Sequence, residues 1–390
     1  MPLTQPLTIA VTGLNATDNP APGVAVLRSL RRPECQGARL VGLAYDALDP
    51  GIFAEGLSDH VFMLPYPSSS TEDYFERLCA IHAHVPLSVI VPTLDAELPV
   101  FIELAPRLRA LGIGTLLPSR EQYDARSKVN LAELARKAGL RTPKTCVVSH
   151  ASGLAHAAAR IGGYPFFVKG QFYGAKLATS ADEALAAFHA TVAEWGTPVI
   201  LQACVQGARH DERNLVALGD GEGGLLGAVA MKKLAVTDKG KGWAGVTIRD
   251  PALLAVAERF VRATHWRGAC EIEVIRAADG TYYLIEVNPR FPAWTYLATC
   301  AGMNLPWRAV EVAAGGSVHA SMEYEVSKVF VRISLDQITD MSVLAQLFTN
   351  GELSLSHENT LREQPFGDHV SGGSALPEAA REQGPEGELS

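Results

Sequence analysis

The segment GACEIEVIRAADGTYYLIEVNP, residues 268–289, constrains the fold more than any other. Two runs of alternating β-branched and aromatic residues flank Asp279-Gly280, a dipeptide that supplies the positive φ angles of a tight hairpin turn. Folded as a hairpin, the segment puts Glu273 and Glu286 on facing strands, with Asn288 two residues beyond Glu286 on the same face. Opposed carboxylates in a largely apolar hairpin repel one another unless a cation or a hydrogen-bond network neutralises them, because burying an unpaired charge is costly. Mg2+ suits three converging oxygen donors, with Mn2+ as the alternative hard cation. The competing reading is structural: either glutamate faces solvent or pairs with Arg267 or Arg276.

Two other regions carry candidate chemistry. Lys169 follows the apolar strand YPFFV, so its ammonium is held at a strand end and suits phosphate oxygens as a point charge. Gly170 and Gly174 flank QFY and let backbone N–H groups approach phosphates, and Lys128 on an earlier helix adds a second positive charge. Each lysine, taken alone, also reads as a surface lysine. The run VILQACVQG is either a buried strand or a strand entering a hinge, and AMKKLAVTDKGKGWAGVTI joins two strands through Lys239 and Lys241, as a lid over phosphates or as a solvated loop.

Over residues 1–118, strands at 7–13, 38–46 and 87–93 alternate with helical patterns from Gly23 and over 71–84, which predicts a parallel, doubly wound sheet. Its ligand-binding edge would carry Asn15, Asp46, Asp95 and Glu97, although residues of this kind also serve as turn formers. From Ser119 the texture changes to helices closed by Gly139 and then to antiparallel strands. The last 35 residues, rich in Glu, Gly, Pro and Ser, predict a disordered tail from about Ser356.

Composition narrows the function. A chain of 390 residues needs two or three packed units, and a net charge of -8 without a concentrated basic surface disfavours nucleic-acid binding. Six scattered cysteines form no CxxC pair, so neither a zinc site nor a disulfide framework is expected. Without a signal-like N-terminus or a membrane-length apolar run, the cytoplasm is the expected location.

Taken in order, PSREQYDARSKVNLAELARKAGLRTPKT, PFFVKG, ILQACVQG, GACEIEV and LIEVNPRF resemble the ATP-grasp superfamily over about residues 5–320. The resemblance implies an α/β and α+β chain: a pre-ATP-grasp domain at 1–118, a two-lobed ATP-grasp domain at 119–320 (lobes 119–199 and 200–320), an extension at 321–355 and the tail. It further implies that Lys128, Lys169 and Gly174 bind the ATP phosphates. Gln202, Ala203 and Cys204 would hold adenine, and Glu273, Glu286 and Asn288 would hold Mg2+. Arg290 and Lys169 would be catalytic, with Arg290 beside the transferred phosphoryl group. Two departures, Ser127 before the first lysine and Arg209 after the hinge glycine, leave the ribose contact to Asp211 or Glu212.

The implied activity is ATP-dependent ligation: a carboxylate, an amino acid or small peptide on the likeness of FPAWTYLATCAGMNLP, becomes an acyl phosphate and is joined to an amine or thiol. Trp294, Tyr296 and Arg308 are candidate pocket residues, packing being the alternative. A nucleotide-binding regulator without catalysis and a kinase of the same fold remain open. Partners would be small molecules, with a carrier protein and a homodimer admitted, and neither nucleic acid nor membrane.

Overall fold

The computed structural model describes residues 6–17, 19–170, 174–205, 211–237 and 242–355. In chain order, β1 (Thr8–Thr12), α1 (Gly23–Leu30), β2 (Arg39–Ala44), β3 (His60–Met63), α2 (Thr71–His84), β4 (Val89–Val91) and α3 (Leu98–Ala110) build a parallel sheet ordered β3-β2-β1-β4. Because side chains alternate across a strand, Ala10, Val41, Leu43 and Ile90 pack under α2 and α3. Ile9, Val11, Leu40 and Val89 pack on the opposite side with α1. The sheet thus has helices on both faces. Gly13 (φ 72°) makes the tight turn after β1; a Cβ there would lie 2.2 Å from Thr93 Oγ1. Ser70 caps α2 by accepting from the Asp73 N–H at 3.1 Å.

Helices α4 (Arg120–Ala125), which opens on a capping box of Ser119 and Gln122, and α5 (Leu131–Lys137) follow. Then β5 (Thr145–Val148), α6 (Leu154–Ile161), β6 (Phe166–Lys169), β7 (Ala175–Ala178), α7 (Ala181–Trp195) and β8 (Val199–Ala203) form an antiparallel sheet ordered β5-β8-β6-β7. Helices α6 and α7 share its apolar core through Leu154, Ile161 and Phe188.

Strands β9 (Glu212–Asp220), β10 (Leu225–Val236) and β11 (Gly242–Ile248), helix α8 (Pro251–Thr264), then β12 (Arg267–Arg276) and β13 (Tyr282–Asn288) supply most of a second antiparallel sheet. Helices α9 (Thr295–Cys300) and α10 (Leu305–Ala313) precede β14 (Val329–Val331), which completes the order β13-β12-β9-β10-β11-β14. One face of this sheet, with Leu215, Ala217, Ile272 and Val274, packs on Leu253, Val256 and Phe260 of α8. Each buried Leu, Ile, Val or Phe side chain here contributes roughly 1.5–3 kcal/mol. The other face, with Val216, Leu218, Val229 and Met231, shares a core with α1, α9, α10 and the parallel sheet.

The chain ends its described course in α11 (Met341–Asn350) and β15 (Glu352–Ser354). β15 pairs antiparallel with β3, so the expected all-parallel sheet acquires an antiparallel edge from a segment about 290 residues downstream. No helix among the described residues is long and apolar enough to cross a membrane. The expected tail from Ser356 and the lid residues Lys239 and Lys241 lie outside the described residues.

Candidate active site

The hairpin β12–β13 pairs Glu273 with Glu286 and Glu271 with Asn288, so period-two alternation brings all four side chains to one face. On the neighbouring strand β9, Asn214 pairs with Glu273 and joins them. The Asn288 amide group donates from Nδ2 to Glu271 Oε2 and to Glu273 Oε1, both at 3.1 Å.

Cations from three other elements meet these carboxylates. Lys233 of β10 lies 2.8 Å from Glu212 Oε2 and 3.3 Å from Glu273 Oε2. Burial alone would lower its pKa, but Glu273 and Glu212 hold it above the usual lysine value. Lys128, between α4 and α5, lies 3.6 Å from Glu286 Oε1. Lys169, at the end of β6, donates to Gln202 Oε1 at 2.6 Å across the β6–β8 pair. Burial, reinforced by the like charge of Lys128, lowers its pKa to about 8, while Glu286, Glu273 and Glu212 pull the other way. Those couplings link the four-stranded and six-stranded sheets at one place.

Arg290 binds the parallel sheet to this cluster. Its Nε donates to Asp95 Oδ2 at 3.0 Å and its Nη1 to Glu271 Oε2 at 3.2 Å. Arg126 approaches the other oxygen of Asp95 at 3.7 Å. Burial would lower the Arg290 pKa, but the two carboxylates hold it above its ordinary value.

The structure therefore brings together Lys128, Lys169, Gln202, Glu273, Glu286, Asn288 and Arg290. Ala203 and Cys204 follow Gln202 at the end of β8, where the Ala203 N–H is spent on the Lys144 carbonyl at 2.9 Å. Gly174 (φ 81°) precedes β7 with no atom of the described residues within 4 Å of a would-be Cβ, whereas Gly170 is required by packing: a Cβ there would lie 2.7 Å from the Trp195 ring. Asp211 is not brought into the cluster. Its carboxylate is bound by Arg213 at 3.0 Å, with Lys232 at 3.9 Å and Arg276 at 4.0 Å, and Glu212 occupies the site side instead.

Of the loop residues at the sheet edge, Asp95 reaches the site. Asn15 accepts from Thr17, Asp46 accepts from the Leu48 N–H, and Glu97 is buried in a separate network. Trp294 reaches the cluster through its indole N–H, 2.7 Å from Glu271 Oε1. Tyr296 instead lies under the Arg28 guanidinium, and Arg308 donates to the Leu226 carbonyl, so both serve packing. Glu271, Lys233 and Arg126 are additions that the sequence reading passed over. The alternation of Glu271 and Glu273 in CEIEV was the available signal for the first.

Residues 216–336 match the family model described as ATP-grasp in the biosynthetic pathway with Ter operon. Among solved structures, biotin carboxylase from Campylobacter jejuni, a complex with β-γ-ATP, superposes with a TM-score of 0.63 at 15% identity, covering 80% of this chain and 71% of that one. The biotin carboxylase domain of 2-oxoglutarate carboxylase from Hydrogenobacter thermophilus, with MgADP and bicarbonate, gives 0.62 at 16% identity over 84% and 73%. L-amino acid ligase from Bacillus licheniformis gives 0.59 at 16% identity over 80% and 75%. No curated protein matches the chain in sequence.

Proposed function

The chain carries the ATP-grasp fold, and from that premise we propose that it uses ATP to activate a substrate carboxylate as an acyl phosphate and joins it to an amine or thiol, releasing ADP and phosphate. The observation that carries this reading is the convergence of Glu273, Glu286 and Asn288 with Arg290, Lys128 and Lys169 on one face at the meeting of two sheets.

The donor set fits Mg2+: two opposed carboxylates and an amide oxygen are hard ligands, and the neighbouring ammonium groups of Lys233 and Lys128 sit on flexible stems. Glu273, Glu286 and Asn288 would hold the metal, which would supply positive charge to neutralise the phosphates. Lys128 and Lys169 bind the phosphates as point charges, and Gln202 with the backbone of Ala203 and Cys204 receives the adenine edge. Glu212, whose carboxylate meets Lys233 on the site side, would take the ribose contact instead of Asp211, which is bound by Arg213.

The γ-phosphoryl group passes to a carboxylate oxygen of the substrate while the β–γ oxygen bond breaks. The nucleophile then attacks the acyl carbon, phosphate leaves and the nucleophile's proton goes to solvent. No protein nucleophile is needed. Arg290, clamped by Asp95 and Glu271, offers a fixed guanidinium to the charge that develops on the transferred group. The fold likeness to the L-amino acid ligase of Bacillus licheniformis, together with the resemblance of FPAWTYLATCAGMNLP to that branch, supports an amino acid or small peptide as the carboxylate.

The test is ADP and phosphate release from Mg-ATP in the presence of pools of amino acids, small carboxylic acids, amines and thiols, carrier-bound thiols included, with products weighed by mass spectrometry. A condensed product formed with stoichiometric ADP is expected. A phosphorylated substrate as the final product, or nucleotide binding without turnover in any pool, would sink the ligase reading.

A further inference from the structure

Glu271 is 6% exposed, and four N–H donors converge on it. Asn214 Nδ2 (2.8 Å) and Trp294 Nε1 (2.7 Å) meet Oε1, while Asn288 Nδ2 (3.1 Å) and Arg290 Nη1 (3.2 Å) meet Oε2. A carboxylate accepts at both ends and so satisfies all four; a carboxamide cannot, because its NH2 end would oppose a donor pair. The network is bought at the cost of one orphan: Asn214 is 2% exposed, and its Oδ1 finds no hydrogen-bond partner among the described residues. A buried acceptor left unmet is expensive. The Asn214 amide is therefore turned by its bond to Glu271 and not by its own oxygen.

The same logic acts on Asn288. With Nδ2 tied to Glu271 and Glu273, the Asn288 amide has its oxygen at its other end, as the acceptor it can offer a ligand. The geometry points to Glu271 as a positioning residue of the nucleotide site: it fixes the Asn288 amide with the oxygen outward as a metal donor and aims the Arg290 guanidinium, without itself touching nucleotide. This assignment rests on the ligase reading above for the identity of the cation and the phosphoryl group. The carboxylate is needed in its charged, accept-only form, since Arg290 and Trp294 have no acceptor to turn towards it.

In Glu271→Gln the amide end must face either Arg290 and Asn288 or Trp294 and Asn214. Each pair contains one amide that can turn over and one obligate donor. With the NH2 on Asn288 and Arg290, Asn288 turns and presents NH2 where the oxygen is required; with it on Trp294 and Asn214, Arg290 keeps only a neutral acceptor in place of its carboxylate and is aimed less firmly.

The experiment measures ADP binding by calorimetry with and without Mg2+ in the full chain. Glu271→Gln should lose Mg2+-dependent ADP affinity by about 10–100-fold, the range for groups that orient metal ligands, and leave metal-free ADP binding unchanged. Glu271→Asp, which keeps an accept-only carboxylate at the position, should retain more of that affinity than Glu271→Gln, because it opposes none of the four donors. A merely structural role would lower metal-free and metal-dependent binding together and would leave Glu271→Asp no better than Glu271→Gln; that result overturns the assignment, as does wild-type metal dependence in Glu271→Gln. If Glu271→Gln fails to fold, Glu271→Asp is read against the wild type by the same comparison of metal-free with metal-dependent binding. Wild-type chain without any Mg2+-dependent ADP binding would sink the ligase reading and this assignment together, whereas normal binding without ligation would sink the ligase reading alone.

Discussion

Two glutamates are buried among the described residues, and their surroundings differ in kind. Glu97, fully buried beside the parallel sheet, accepts from the Thr93 and Leu94 backbone N–H groups at 2.7 and 2.8 Å and from the Thr12 and Tyr45 hydroxyls. Tyr45 in turn shares a 2.5 Å bond with the Tyr74 hydroxyl. Glu271 is surrounded by N–H groups alone, one of them the Arg290 guanidinium. Hydroxyls can donate or accept; N–H groups only donate. Glu97 therefore sits where its protonated form is easily housed, and burial raises its pKa despite those hydrogen bonds. Glu271 sits where only the carboxylate fits. Similar burial thus yields a structural tie in one region and an obligate charge in the other, and the deciding factor is whether a cation and one-way donors surround the group.

The sharpest way to break this contrast is to remove the cation. Arg290→Met leaves Glu271, 8% exposed in its side chain, without its charge partner, and frees Asp95 from one of its two arginines. Stability should fall by about 3–5 kcal/mol, the cost of breaking a buried pair from one side. Turnover should fall by about 10²–10³-fold from loss of a charge-stabilising donor. Denaturant midpoints and kcat measure the two effects; a wild-type midpoint would mean that Glu271 is not held by Arg290. A smaller effect is expected from Glu97→Ala. Thr93 and Leu94 N–H groups lose an acceptor, and each buried unmet donor costs about 1–3 kcal/mol. Mg2+-dependent ADP affinity should stay within about threefold, or about 0.7 kcal/mol, because Glu97 touches none of the nucleotide-site side chains. A collapse of that affinity would show that the two regions are not separate.

What the sequence disclosed follows the same division. Elements set by local pattern were legible: the helix expected over 71–84 spans Thr71–His84, and the Asp279-Gly280 turn placed Glu273 opposite Glu286. Elements set by distant partners were not. β15, three residues long, is a strand only because β3 offers it an edge, and β7 forms only against β6. Lys233 carries no site signal of its own in the sequence, and its function as a counter-charge depends on β10 lying beside β9, which carries Glu212, with Glu273 one strand further on. Glu271 was visible by alternation, but its work depends on Trp294 and Arg290, which follow the hairpin and return to it from outside the strand pair. Asp211 illustrates the reverse error: adjacent in sequence to Glu212, it lies just before β9 with its carboxylate among arginines.

The smallest predicted effect isolates the charge of Glu97 from its shape. A group whose pKa is raised on folding binds more protons in the folded than in the unfolded chain, so stability falls as pH rises from its ordinary value near 4.5 towards the raised folded value. The stabilising contribution is complete below about 4.5 and is lost through that window. Glu97→Gln carries no titrating proton. Its carbonyl oxygen can accept from the Thr93 and Leu94 N–H groups, and its NH2 can donate to the Tyr45 hydroxyl, which remains free to donate to Tyr74. The variant should therefore fold normally, with a flatter dependence of unfolding free energy on pH above about 4.5 than the wild type. Urea titrations across that range read the slope directly. An unchanged slope would mean that Glu97 keeps its ordinary pKa despite full burial. The hydroxyl-lined pocket would then hold a charge as firmly as the N–H-lined one around Glu271, and the presence of Arg290 could no longer explain why only one of the two glutamates belongs to the site.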